Sequence, residues 1–215
     1  MNRQAIFFVK KWPVVLFTIH KSARMNLIEI FKNLQSRYSS LSDECIEELL
    51  QNINIKSFAK NEIIVREGQF AKKVYFILQG ATRAYYYTND KDVSDWFAFE
   101  NEFISPIVSF FSEKPSPHYI QVLQDAILVE ISQETIANLS KKYPEIEKLI
   151  QKIVVEVMLR QQKRISSILF YSAEQKYLQL MQEYPHIVDR VPLTHIASHL
   201  GMTLETLSRV RKLQV

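Results

Sequence analysis

Between Ser57 and Ile131 the chain is a succession of short runs rich in β-branched and aromatic residues, with turn chemistry rather than helices between them. The runs are Glu62 to Arg66, Val74 to Leu78, Ala81 to Tyr87, Val93 to Phe99, Tyr119 to Leu123 and Ala126 to Ile131. They are punctuated by Glu67-Gly68, Gln79-Gly80 and Thr88-Asn89-Asp90, a hairpin signal. Pro106 and Pro115-Ser116-Pro117 interrupt the series. Parallel neighbours need a crossover of a dozen or more residues, normally a helix. No such helix fits here, so the strands pair antiparallel, and their number and spacing predict a sandwich or jelly roll. Within it Tyr85-Tyr86-Tyr87 and Trp96-Phe97 are expected to alternate, half of the rings facing the core.

Helical patterns flank this region. Residues 27 to 54 read as helical: Leu27, Ile30, Phe31 and Leu34 recur at helical spacing, and Ser42 caps a second helix that turns Ile46, Leu49 and Leu50 inward. A long helix is predicted from Tyr143-Pro144, with Ile146, Ile150, Ile153 and Val157 on one stripe. Arg160-Gln161-Gln162-Lys163-Arg164 breaks the stripe before it resumes at Ile165, Ile168 and Leu169. A helix beyond about 25 residues exceeds what a small sandwich covers, which points to packing against a second copy. Ser172-Ala173-Glu174 opens another helix through Tyr184, with Tyr177, Leu178 and Met181 inward, and Pro185 stops it.

The last segment, Val191 to Arg211, has the pattern of a helix-turn-helix. Pro192 suits a first helical turn, Ile196 and Leu200 face a core, and small Ala197 admits a close second helix. Gly201 ends the first helix where a left-handed backbone is expected, and Thr203 caps the next. With Leu207 and Val210 inward, Leu204, Glu205, Ser208, Arg209 and Lys212 take outward or flanking positions. Such a helix fits a DNA major groove, where Arg209 can donate two bonds to guanine and Glu205 can accept from cytosine.

Composition excludes several alternatives. The 215 residues are 47% hydrophobic and 23% charged, with a net charge of +4 that suits a polyanionic partner without identifying one. The lone Cys45 permits no internal disulfide and no iron–sulfur cluster; with acidic Glu44 and Glu47 beside it, it reads as a packing residue. Residues 1 to 24 hold five basic residues and no acid around the run Trp12 to Ile19. That run is shorter than the roughly 20 apolar residues of a membrane span and lacks the form of a signal peptide. They read as an extension outside the fold, with Met25 a natural first residue and the cytoplasm the default location. His195 and His199 stand at the i, i+4 spacing of a metal pair without a nearby third ligand, and are expected to be a surface pair. His118 is expected in a loop. No Gly-rich phosphate loop, H-E-x-x-H or G-x-S-x-G occurs, so neither an enzyme nor a cofactor is expected.

From Leu200 through Arg209, and again at Gly68 and Tyr75-Phe76-Ile77-Leu78-Gln79-Gly80, the chain resembles the Crp/Fnr family, over about residues 27 to 212. The resemblance implies an α+β multidomain protein. Residues 25–142 would form a cyclic-nucleotide-binding-type β jelly roll, 143–171 a dimerisation helix and 172–215 an all-α helix-turn-helix domain. It places Glu205 and Arg209 at base-reading positions and Thr203 and Thr206 at phosphate contacts, with Ser208 and Lys212 completing the DNA-binding set. Leu204 stands where some members have Arg. Only Leu213-Gln214-Val215 follow the reader helix, so little or no β-wing is expected.

Where cyclic-nucleotide-binding members carry a Gly-Glu pair for the ribose and an Arg-Ser/Thr-Ala for the phosphate, this chain has Ser105-Pro106 and Ser116-Pro117. Without that charge-assisted contact cAMP is not the expected effector, and Glu100 and Glu102 nearby are expected to repel an anion. Trp96, Ser105, Ser116, Gln161 and Gln162 are the residues expected at the effector pocket. Implied partners are a near-palindromic double-stranded DNA site, a second copy, an unidentified small molecule and RNA polymerase, with no membrane. The competing reading is a ligand-binding or interaction module that keeps the fold without DNA binding.

Overall fold

The computed structural model describes residues 40–88 and 90–213. The expectations for residues 1 to 24 and for the helical pattern Leu27 to Leu34 lie outside them. Helix α1, Asp43–Gln51, begins where Ser42 accepts a hydrogen bond from the Cys45 amide, and it buries Cys45, Ile46 and Leu49. Burial and the charges of Glu145 and Glu48 push the Cys45 thiol up to about 11, so it is an inert packing group.

Eight strands follow: β1 Asn54–Phe58, β2 Ile63–Val65, β3 Lys73–Gln79, β4 Thr82–Thr88, β5 Lys91–Ala98, β6 Phe103–Ile104, β7 Tyr119–Val122 and β8 Ala126–Ser132. They form two four-stranded sheets, β1-β8-β3-β6 and β2-β7-β4-β5, antiparallel throughout. This is the expected jelly roll with two strands more than the sequence runs indicate. β1 carries only two apolar residues, and it begins at Asn54, which the helical reading had included. β6 is two residues long. Gly80 sits at the β3–β4 turn with φ +100°; a Cβ there would lie 2.7 Å from the Asp125 carbonyl oxygen.

Two helices were not foreseen. α2, Ile107–Ser112, lies in the proline-flanked interval, and α3, Gln133–Lys142, starts from Ser132, whose hydroxyl caps the Thr135 amide. The long helix α4 runs unbroken from Pro144 to Phe170, 27 residues, with Pro144 in its first turn. Its Ile146 packs with Leu49, Phe76, Val129 and Leu139 into one core cluster. A second cluster fills the roll between the sheets around Tyr75, Ile77, Trp96, Ile104, Ile120 and Leu128. Val155, Met158, Leu159, Ile165, Leu169 and Phe170 remain exposed along α4.

After α4 come α5 Ala173–Glu183, α6 Ile187–Arg190, α7 Leu193–His199 and α8 Leu204–Lys212. In α5 the inward residues are Tyr177 and Leu180, while Leu178, expected inward, is exposed. The third core cluster joins this helical unit to the roll: Ala81, Phe97, Phe99 and Leu123 pack with Ile187, Val191, Ile196, Leu200, Leu207 and Val210. That second cover explains why the aromatic alternation fails. Trp96 and Phe97 are both buried, one among the residues between the sheets and the other under the helices. Among the tyrosines, Tyr85 is half-buried and Tyr86 and Tyr87 are exposed. A register shift between Ala84 and Tyr85 displaces their pattern from that of β5. Among the described residues no helix is long and apolar enough to cross a membrane.

Candidate nucleic-acid interface and effector pocket

The geometry of the terminal unit follows from three local choices. Leu200 ends α7, Gly201 takes φ +63°, and the Met202 amide reaches back to the Ala197 carbonyl at 3.0 Å, a Schellman-type stop. Thr203, in extended backbone, accepts the Thr206 amide at 3.2 Å and starts α8. Leu207 is fully buried and Val210 nearly so, which fixes the rotation of α8 about its axis. Pro192 stands one position ahead of the first helical turn, at the N-cap of α7.

That rotation decides what α8 presents. Leu204, Glu205, Arg209 and Lys212 are exposed, as is the capping residue Thr203, while Thr206 and Ser208 are half-buried. Hydrogen bonds from its own amide and from Thr203 hold the Glu205 carboxyl below the usual carboxylate range. Arg209, Arg211 and Lys212 crowd the last turn, where cations suit the helix dipole. One helix thus offers a carboxylate acceptor one turn before a guanidinium donor, on a surface open to a partner.

The back of this unit is held by polar contacts that the sequence reading missed. Arg83 of β4 is buried, yet every nitrogen has a partner: Nε donates to Gln121 at 2.9 Å, Nη2 to Asp92 at 2.7 Å, and Nη1 to Ser94 at 3.1 Å and to Nδ1 of His195 at 2.8 Å. Since a guanidinium only donates, that histidine nitrogen carries no proton. The Ser94 amide donates to the Ser198 hydroxyl at 3.1 Å. Arg164 of α4 donates to Asp95 at 3.1 Å, to the Ser94 carbonyl at 3.3 Å and to the His199 carbonyl at 3.4 Å. Arg190 clasps the Glu100 carboxylate with two bonds of 2.7 and 2.8 Å and reaches the Gly80 carbonyl at 3.0 Å.

His195 and His199 are therefore not a surface pair. Both turn toward the roll, His199 with its ring 5.0 Å from that of Phe97. Burial first, and the Arg164 charge second, push His199 down to about 3. His195 is lowered by burial and then by Arg83, with Asp92 opposing. Glu100 and Glu102, expected to repel an anion at the effector site, are instead engaged by Arg190 and by Arg160 with Tyr184. The unbroken apolar run Trp96-Phe97-Ala98-Phe99 was the available signal: a strand covered on both faces does not alternate.

The expected effector residues separate into groups. Trp96 and Ser105 both line an apolar cavity of about 250 Å³ between the roll, α2, α3 and the first half of α4. Trp96 also borders a small crevice, about 60 Å³, together with Gln161, Asp95 and Arg164. Ser116 is buried and donates to the His118 carbonyl at 2.8 Å. Gln161 reaches Asp95 at 3.5 Å, and Gln162 is exposed on α4 and lines neither cavity. His118 lies in the loop just before β7, as expected, but is buried there with its ring 5.5 Å from that of Tyr86, and burial lowers its pKa.

Residues 55–143 match the family described as the cyclic nucleotide-binding domain. The chain is 24% identical over 193 residues to the fumarate and nitrate reduction regulatory protein of Yersinia pestis, covering 80% of this chain and 76% of that one. FixK2 of Bradyrhizobium japonicum superposes with a TM-score of 0.67 at 16% identity, over 75% of this chain and 83% of its own. A Crp/Fnr-family structure from Eubacterium rectale superposes with a TM-score of 0.63 at 16% identity, over 81% and 84% of the two chains. Residues 55–143 thus match the cyclic nucleotide-binding domain, and the chain has the fold seen in FixK2 and in the Crp/Fnr-family structure from Eubacterium rectale.

Proposed function

We propose that the chain is a homodimeric, sequence-specific DNA-binding transcription regulator, and not an enzyme. The observation that carries this reading is the fixed rotation of α8, which leaves Glu205, Arg209 and Lys212 exposed while Leu207 and Val210 are buried. In the proposed complex α8 enters the major groove. Arg209 and Glu205 read base edges, and Thr203, Thr206, Ser208 and Lys212 position the helix on phosphates. Residues 25–142 act as the sensor, 143–171 as the dimerisation helix and 172–215 as the DNA-binding domain, with 1–24 outside them. The exposed apolar row of α4 supports pairing with a second copy. RNA polymerase and a small-molecule effector other than cAMP are the further partners, and the cytoplasm is the location.

The residue assignment is tested on a duplex selected from random sequence with the purified protein. Arg209→Ala should weaken binding by about 1–3 kcal/mol and relax preference at one base position per half-site. Lys212→Ala should weaken binding evenly across sequences and lower the salt dependence by about one counterion per helix. Unchanged specificity in the Arg209 variant would place the reader elsewhere.

A further inference from the structure

The cavity between the roll and α4 carries an inference about what this protein senses, and it rests on the regulator reading above. We infer that an uncharged, largely apolar small molecule binds in this cavity, walled by Trp96, Phe103, Phe110, Ile150 and Ile153, and away from the position where the resemblance puts a cyclic phosphate. Four features point to such a ligand. The volume, about 250 Å³, approaches the small end of ligand pockets. Among the described residues no charged residue lines it, and Ser105 is the one lining residue besides Trp96 that carries a polar side-chain atom. Apolar walls of this kind take up apolar molecules. The indole N–H of Trp96, a residue that lines both this cavity and the smaller crevice, is buried without an acceptor, and a ligand oxygen within its reach would satisfy it. Ser116 and His118, which stand near the family's phosphate position, do not line this cavity.

The location also suits a signal. The cavity touches α2 beside Ser105, α3 at Ile136 and Leu139, and α4 at Leu149, Ile150, Ile153, Val154 and Val157. Filling it would fix how the first half of α4 leans on the roll. The same helix carries Arg164, which holds Asp95 and the His199 carbonyl of the DNA-reading unit. A second copy is a poorer occupant. Of the lining residues, Phe111 and Val154 are the large apolar side chains that stand exposed, at the rim. Val155, Met158 and Leu159, which continue the exposed face of α4 beyond Val154, line no part of the cavity.

The test uses 1-octanol and octanoate on the full chain. Trp12→Phe leaves Trp96 as the single tryptophan reporter. Octanol should shift Trp96 emission saturably and, at a hundredfold excess over Kd, raise Tm by about 5–10 °C. Octanoate should bind at least tenfold more weakly, because its charge would enter a wall with no counter-charge. Ile153→Phe should fill the cavity and weaken octanol at least tenfold. Should that variant not fold, Val154→Phe at the exposed rim serves the same purpose. Octanol should also change affinity for the selected duplex. No saturable response, an equal response in the filled variants, or equal binding of octanoate would overturn the proposal. So would a response that appears only after residues 1–39 are deleted, or only in a Leu159→Glu monomer, since each assigns the cavity to another occupant. Binding with no effect on duplex affinity would overturn the sensing role. If no duplex is selected while octanol still binds, it is the regulator reading that fails.

Discussion

Two glycines illustrate how single residues hold the architecture, and they are not equivalent. Gly201, at φ +63°, has open space where a Cβ would stand, so Gly201→Ala should cost only the left-handed backbone, about 1–2 kcal/mol. Gly80, at φ +100°, has the Asp125 carbonyl and Ala126 within 3 Å of that position, and neither is the flexible end of a side chain. Gly80→Ala should therefore cost about 2–4 kcal/mol, the larger loss of the two in urea unfolding. A histidine gives the pH dependence. His199 is held down to about 3, so the native state prefers its neutral form while an unfolded histidine titrates near 6.5. The unfolded state then binds more protons between those values, so the contribution of His199 is complete above about pH 6.5 and declines as pH falls toward 3. His195 and His118 are lowered in the same direction. Stability should fall on acidification from pH 7 to 5, and His199→Phe should reduce that slope by up to about 1.4 kcal/mol per pH unit. An unchanged slope would mean His199 is not buried against Phe97 in solution.

At the scale of elements, what could be read from the sequence was whatever has a strong period or a terminus signal. The six stronger strands, the start of α4 at Pro144, the cap at Ser172 and the Gly201–Thr203 turn were all visible. β1, with Ile55 and Phe58 as its apolar residues, and β6, at two residues, carry too little pattern to stand out. The exposed face of α8 was legible because capping and two inward residues determine a rotation. The polar part of the contact of α7 with β4 and β5 was not, because it is made by Arg83, Ser94, His195 and Ser198, residues distant in sequence whose complementarity appears only in three dimensions. For the same reason His195 and His199 looked like a surface pair. This contact yields a prediction of its own. Arg83→Leu removes the donor to Asp92 and His195, and because Asp92 is partly exposed the loss should be about 2–3 kcal/mol. Amide exchange at Ser94, whose N–H is bonded to Ser198, should accelerate ahead of the rest of β5. Protection unchanged at Ser94 would show that Arg83 does not hold α7 in place.

For the whole molecule, the arrangement joins a roll, a 27-residue helix and a capped terminal helix. Arg164 links α4 to both Asp95 of β5 and the His199 carbonyl of α7, and Arg190 links α6 to Glu100 and the β3–β4 turn. In the proposed regulator a change in how α4 lies on the roll would reach α7 through Arg164, and pairing through the exposed row of α4 would set two such α8 helices at a fixed separation. The central claim is that this pair reads DNA. Selection of the purified full-length protein against a random-sequence duplex library measures it most directly. The account predicts an enriched near-palindrome whose half-sites lie one helical turn apart, roughly 34 Å. Recovery of no enriched sequence by a folded, dimeric protein would contradict it.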